Sequence, residues 1–212
     1  MHDFKYVTKN EAKPVKEELY QILHEVQDVV REYFTFSFTP VGSSKRNMIT
    51  YDTKSNIGFD FDFNIEVNDE DQRFNPKEIR TIIRNAIDRV APRNGYKYCE
   101  DSTRVLTIKK VNTFSSRIIH SCDFAIVYNC KDGRQQYIHF NKRNNQYEWY
   151  YQGKGFVDLD EKIEWLKKKK LWGELRAYYI IKKNKNDDTD KHSRSIFAES
   201  VNEMCMKNGY RS

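Results

Sequence analysis

From Pro14 to Phe34, Val15, Leu19, Ile22, Leu23, Val26, Val29, Val30, Tyr33 and Phe34 recur at three-and-four spacing. That period predicts a long amphipathic helix with one apolar stripe. After a short apolar run, Thr35–Val41, the period changes to two. Ile57, Phe59, Phe61, Phe63, Ile65 and Val67 alternate with Gly58, Asp60, Asp62, Asn64 and Glu66, as in a half-buried strand whose successive side chains point to opposite faces. The acidic stretch Asn68–Asn75 reads as a loop, and Pro76 stands where a helix begins. Ile79, Ile82, Ile83, Ala86, Ile87 and Val90 line this second helix, which ends near Pro92 and the Asn94-Gly95 turn. Strands are predicted at Tyr96–Cys99, Val105–Asn112, Ile118–Asn129, Gln135–Phe140 and Tyr147–Tyr151. Gly153-Lys154-Gly155 then marks a change in composition and reads as a hinge. Beyond it the pattern is helical, over Leu159–Lys170, Leu171–Lys183 and His192–Lys207. The predicted class is α+β, with a sheet-based core over residues 1–155 and a small helical lobe over 156–212.

The period-two strand carries unusual chemistry. Asp is depleted in strands, yet Asp60 and Asp62 project from the same face of this one, opposite a row of large apolar side chains. Like charges held that close raise each other's pKa unless a cation neutralises them, and paired carboxylates suit hard, oxygen-seeking cations. A pair of solvated acids on a wet strand face is the plainer alternative. Upstream, Gly42, Ser43 and Ser44 precede Lys45 and Arg46. Backbone N–H groups near a glycine, with hydroxyls and cations, suit phosphate oxygens, although a Gly-Ser pair is also a simple turn. A third acid, Asp123, sits inside the apolar run RIIHSCDFAIVY, where an uncompensated charge is costly. It needs a cation, a hydrogen-bond network, or a salt bridge to Arg104 or Lys109.

Taken in order, VGSS at Val41–Ser44, FDFDF at Phe59–Phe63 and CDFAIV at Cys122–Val127 resemble the signature of the DNA polymerase β type of nucleotidyltransferase. The chain is most similar to the template-independent branch containing oligoadenylate synthases and cyclic dinucleotide synthases. The spacer between Ser43 and Asp60 is long for that family, which places a loop or short helix there. The resemblance implies a mixed-sheet palm with flanking helices, closed by the helical lobe. It implies transfer of a nucleotidyl group from a nucleoside triphosphate to a hydroxyl acceptor of unspecified kind, with release of pyrophosphate. It assigns Asp60, Asp62 and Asp123 to catalysis and to Mg²⁺ (or Mn²⁺), and Gly42, Ser43 and Ser44 to the triphosphate. From the helical lobe it adds Arg176 or Lys182, and Ser193 or Ser195, as further phosphate donors. Tyr150 or Tyr151 could stack on a nucleobase. The alternative is a non-catalytic module that binds nucleotide, RNA or a partner protein, such as a degenerate relative or a toxin–antitoxin component.

Composition accommodates this reading. The 212 residues are 38% hydrophobic and 32% charged, with 14% aromatics. No apolar run approaches the ~20 residues of a membrane span, and no leading segment resembles a signal peptide. Cys99, Cys122, Cys130 and Cys205 lack the close pairing of a zinc site or disulfide framework, so a cytoplasmic setting is expected. Residues 1–130 carry 19 basic and 19 acidic side chains, while residues 131–212 carry 18 and 12. The +6 excess therefore lies in the C-terminal part, as expected for a polyanionic substrate, unless Lys167–Lys170 is only a solvated helix face. About 57 residues beyond the sheet could close a nucleotide cleft but not grip a duplex, hence the expectation of no template.

Overall fold

The computed structural model describes residues 2–69, 71–153 and 158–211. Lys154 and Gly155 of the expected hinge lie outside them. The chain resolves into two compact units, residues 7–50 with 56–152, and residues 1–6 with 51–55 and 153–212.

The larger unit is a mixed sheet backed by two helices. Its strands are β2 (Thr35–Pro40), β4 (Phe59–Asn68), β5 (Glu100–Asp101), β6 (Leu106–Asn112), β7 (Arg117–Asn129), β8 (Gln135–Asn141) and β9 (Gln146–Tyr151). Their order is β2-β4-β7-β6-β5, and β8 joins the far end of β7 and carries β9. The pairing β4–β7 is parallel and the others are antiparallel. Phe61, Phe63, Ile65, Cys122, Phe124 and Ile126, all essentially inaccessible to solvent, form the core side of the two central strands. Against them pack α1 (Lys9–Val30), through Leu19, Ile22, Leu23, Val26 and Val30, and α3 (Pro76–Val90), through Ile79, Ile83, Ala86, Ile87 and Val90.

Local signals explain where these helices start. Asn75 caps α3 by accepting from the Glu78 N–H at 3.0 Å while Glu78 accepts from the Asn75 N–H, with Pro76 at the first helical position, a reciprocal capping box. The α1 helix begins five residues before the expected Pro14. Thr8 and Glu11 form the same box there, and it outweighs the donor that Pro14 lacks. Between β2 and β4 the long spacer holds α2, the single turn Gly42–Lys45, and β3 (Thr50–Asp52). The predicted strand at Tyr96–Cys99 is absent: only Tyr96 bridges to Lys110, and Tyr98 is 71% exposed. The β4 strand starts at Phe59 rather than Ile57. A Cβ on Gly58 would lie 1.8 Å from the Ile119 carbonyl oxygen, so only glycine lets the chain enter the sheet against β7.

Two buried polar groups tie the unit together. The Arg80 guanidinium, 1% exposed, donates to Asp101 Oδ1 (2.6 and 2.8 Å) and to the carbonyls of Ser102 (2.6 Å), Val105 (3.0 Å) and Ile138 (3.0 Å). On β7, His120 and Glu18 of α1 meet at the Tyr96 hydroxyl, 2.8 and 3.0 Å away. Burial, reinforced by the Lys110 charge, pushes His120 down to about 4. It is therefore neutral at pH 7, and Nε2–H donates to the tyrosine oxygen.

In the second unit β1 (Phe4–Tyr6) pairs with β3, and α4 (Leu159–Lys168), α5 (Trp172–Lys185) and α6 (Ser193–Lys207) enclose Leu166, Leu175, Ala198 and Val201. Among the described residues no helix is long and apolar enough to cross a membrane.

Arg80→Met should cost about 3–5 kcal/mol, because it strands the Asp101 charge and several buried carbonyls. Urea denaturation gives the measurement. A loss under 1 kcal/mol would mean the network contributes little to stability.

Candidate active site

The acidic residues converge through strand register. Asp62 pairs directly with Asp123, and Asp60 with Ser121, in the parallel β4–β7 ladder. Paired residues share a face, so the two carboxylates leave the sheet one strand spacing apart, about 4.8 Å. Thr107 lies opposite Asp123 on the other side and donates to its Oδ1 at 2.6 Å. The Ser121 hydroxyl donates to Asp60 Oδ1. Asp123 bonds to neither Arg104 nor Lys109; Lys109 pairs instead with Glu100 at 2.6 Å. Sequence reading missed Thr107 and Ser121, whose roles follow only from the strand pairing.

Burial and the neighbouring charges of Asp123 and Asp60 push Asp62 up to about 6, with Arg46 as the opposing cation. Burial likewise raises Asp123, against the Thr107 hydrogen bond and the Lys109 charge. Gly42 stands beside this pair at φ +60°, and a Cβ there would meet Asp62 Oδ2 at 2.7 Å. The Val41 N–H donates to the Asp62 carbonyl at 2.9 Å, fixing the α2 turn to the strand. The Ser44 hydroxyl is buried and lies 2.7 Å from the Val41 carbonyl and 3.2 Å from that of Asp62. Ser44 therefore holds the turn rather than facing outward. The Ser43 hydroxyl makes no hydrogen bond among the described residues.

Among the described residues no group of three His, Cys, Asp or Glu side chains is arranged to hold a metal ion. The three expected acids share one face of the β4–β7 ladder, with Asp62 and Asp123 in register and Asp60 engaged by Ser121. The donor set is nevertheless all oxygen, and its crowded negative charge fits a hard divalent cation. Mg²⁺ typically takes one or two carboxylates and completes its shell with water and substrate phosphates.

The C-terminal candidates lie in the second unit. Arg176 stacks over Tyr6, 4.5 Å from the ring centroid. Lys182 bridges Glu199 (3.3 Å) and Glu203 (2.8 Å). Ser193 is the exposed first residue of α6, after His192 at the cap, and the Ser195 N–H donates to the His192 carbonyl.

Comparison with known proteins bears on the fold. No protein-family model and no curated protein matches the chain. Solved structures do. Vibrio cholerae DncV cyclic AMP-GMP synthase, in complex with the linear intermediate 5′ pppA(3′,5′)pG, matches with a TM-score of 0.65 at 13% identity, over 93% of this chain and 68% of that one. The Bradyrhizobium diazoefficiens CD-NTase CdnG in complex with GTP matches at 0.53 and 10% identity, over 84% and 44%. The 3′-deoxy GTP bound form of Escherichia coli DncV matches at 0.58 and 15% identity, over 88% and 52%. The chain has the nucleotidyltransferase fold of these proteins and spans between 44 and 68% of their length.

Asp62 stays protonated in the folded chain up to about pH 6, whereas its ordinary value is 3.8. Between these values the native state binds more protons than the unfolded chain, so this site's contribution to stability falls as pH rises and is constant above pH 6. Asp62→Asn should therefore match the wild type near pH 4 and exceed it at pH 7.5, by on the order of 2 kcal/mol. Urea denaturation at the two pH values decides: equal stability at pH 7.5 would remove the charge-crowding account.

Proposed function

We propose that the chain is a template-independent nucleotidyltransferase, which moves a nucleotidyl group from a nucleoside triphosphate to a hydroxyl acceptor and releases pyrophosphate. The observation that carries this reading is the in-register Asp62–Asp123 pair beside the Gly42 turn. The fold shared with DncV and CdnG, whose structures hold nucleotides, supports it.

In this reading Asp62 and Asp123, with Asp60 at the edge, hold Mg²⁺ (or Mn²⁺). When bound, the metal supplies positive charge that offsets the charge on the reacting phosphate and lowers the pKa of the attacking hydroxyl. The chain's own groups do the positioning. Gly42 keeps the backbone clear of Asp62, leaving space for a phosphate against the turn. The Ser43 hydroxyl and the Arg46 guanidinium, near Asp62, offer donors to the β- and γ-phosphates. Thr107 fixes the rotamer of Asp123, and Ser121 that of Asp60, so both carboxylates are set before substrate arrives.

Incubation with labelled triphosphates and Mn²⁺ should yield pyrophosphate and a nucleotidyl product without template. Asp123→Asn keeps shape and one hydrogen bond but removes a charge, and should lower the rate at least ~10²-fold. An unchanged rate would overturn this mechanism. The second reading is a nucleotide-binding module whose carboxylates hold no metal. That reading predicts that nucleotide raises the melting temperature equally with and without divalent metal, whereas the enzyme reading requires the shift to depend on metal.

A further inference from the structure

The face that carries Asp62 and Asp123 continues past β7. The β8 strand lies along the edge of β7 opposite β4, with Tyr137 paired to Val127. On β9, Tyr150 pairs with Tyr137 and Glu148 with His139. Val127 stands four residues beyond Asp123, on the same side of β7, and paired residues share a side. Tyr137, His139 and Tyr150 therefore project from the carboxylate face.

Their rings form one cluster. His139 and Tyr150 have centroids 4.5 Å apart with planes inclined by 32°, and Tyr137 lies 6.3 Å from His139 and 6.4 Å from Tyr150. The Arg104 guanidinium sits 4.3 Å from the Tyr137 centroid. Tyr150 is 45% exposed and Arg104 is exposed, His139 is half-buried, and Tyr137 is buried and underpins the other rings. Arg104 makes no ion pair or hydrogen bond among the described residues, whereas nearby Arg80 and Lys109 are committed to Asp101 and Glu100. A guanidinium stacked on a ring keeps its N–H edge available for a phosphate, and exposed aromatic rings accept any nucleobase face.

Position identifies the ligand. The path from Asp123 to Tyr150 is about 13 Å along β7 and about 10 Å across two strand spacings. That exceeds the span of one nucleoside, so a base stacked there belongs to a neighbour of the reacting nucleotide. The cluster also lies on the β8 side of the carboxylates, whereas Gly42 and Ser43 border β4. Glu148, on the same face beside His139, disfavours phosphate there and leaves the Arg104 end for the backbone.

We propose that Tyr137, His139, Tyr150 and Arg104 form a stacking platform for a single-stranded oligonucleotide, whose terminal hydroxyl is the acceptor at Asp62 and Asp123. This rests on the nucleotidyltransferase reading and adds the acceptor class to it. The terminal hydroxyl oxygen bonds to the α-phosphorus of the triphosphate. The bond from that phosphorus to its bridging oxygen breaks, pyrophosphate leaves with the electron pair, and the hydroxyl proton passes to solvent.

The test is fluorescence anisotropy of the full chain with a short 5′-labelled oligoadenylate, the same strand in duplex, and AMP as competitor. The single strand should bind more tightly than the duplex and resist AMP. Tyr150→Ala should weaken binding about tenfold or more, Tyr150→Trp should restore it, and Arg104→Gln should flatten the salt dependence by about 0.7 in the log–log slope. His139→Ala gives an independent loss if Tyr150→Ala lowers the melting temperature. Equal affinity in folded Tyr150→Ala and His139→Ala, preference for duplex, or no binding would overturn the platform. Binding is read without triphosphate, so the two readings fail separately. Strand binding without pyrophosphate from any triphosphate overturns the enzyme and keeps the platform; pyrophosphate release indifferent to the strand and to Tyr150→Ala does the reverse.

Discussion

The parallel register between β4 and β7 is the constraint on which the site depends. One row of each strand, Phe61, Phe63 and Ile65 with Cys122, Phe124 and Ile126, has to meet α1 and α3. Because side chains alternate, burying that row forces Asp62 and Asp123 out side by side on the other face. A slip of one residue in either strand would send its acid into the core and its buried row into solvent. The hydrophobic effect thus holds together two charges that repel, and the core supplies the free energy their crowding costs.

Much of this was legible in the chain because the informative features are local. The alternation from Phe59 to Val67 identifies the strand and its acidic face, and Asn75, Pro76 and Glu78 mark the start of α3 before any packing is known. Pairing is different in kind. Nothing local to Thr107 or Ser121 says that they will stand beside Asp123 and Asp60, since those neighbours are created by ladders joining distant segments. Short elements were also out of reach: β1 and β3 have three residues each, too few to establish a period. At Tyr96–Cys99 the period misled, because alternation over four residues arises as readily in a loop with one buried tyrosine. At α1 the capping pair Thr8 and Glu11 was present in the sequence, but Pro14 drew the start of the helix to itself.

The two sides of the sheet follow different rules. The core side is apolar and closed; its polar groups Arg80 and Tyr96 have hydrogen-bonding partners, and His120 is held through Nε2 alone. The other side carries carboxylates raised in pKa, a glycine in a left-handed conformation and a ring cluster with Tyr150 exposed at its edge, each unfavourable for stability alone. Concentration of such compromises on one surface is what a binding face requires, since a group fully satisfied within its own chain has little to offer a ligand.

Arg80 links the two sides. One of its nitrogens holds the carbonyl of Ile138, the residue between Tyr137 and His139, while the others hold Asp101 and the carbonyls of Ser102 and Val105, which bracket Arg104. The backbone segments that carry the rings and the stacked guanidinium are thus nailed to one helix by a single side chain on the far side of the sheet. Local breathing of that region would be gated by one buried cation. Amide exchange at β8 and at the β5–β6 turn would then report a common opening event rather than two independent ones.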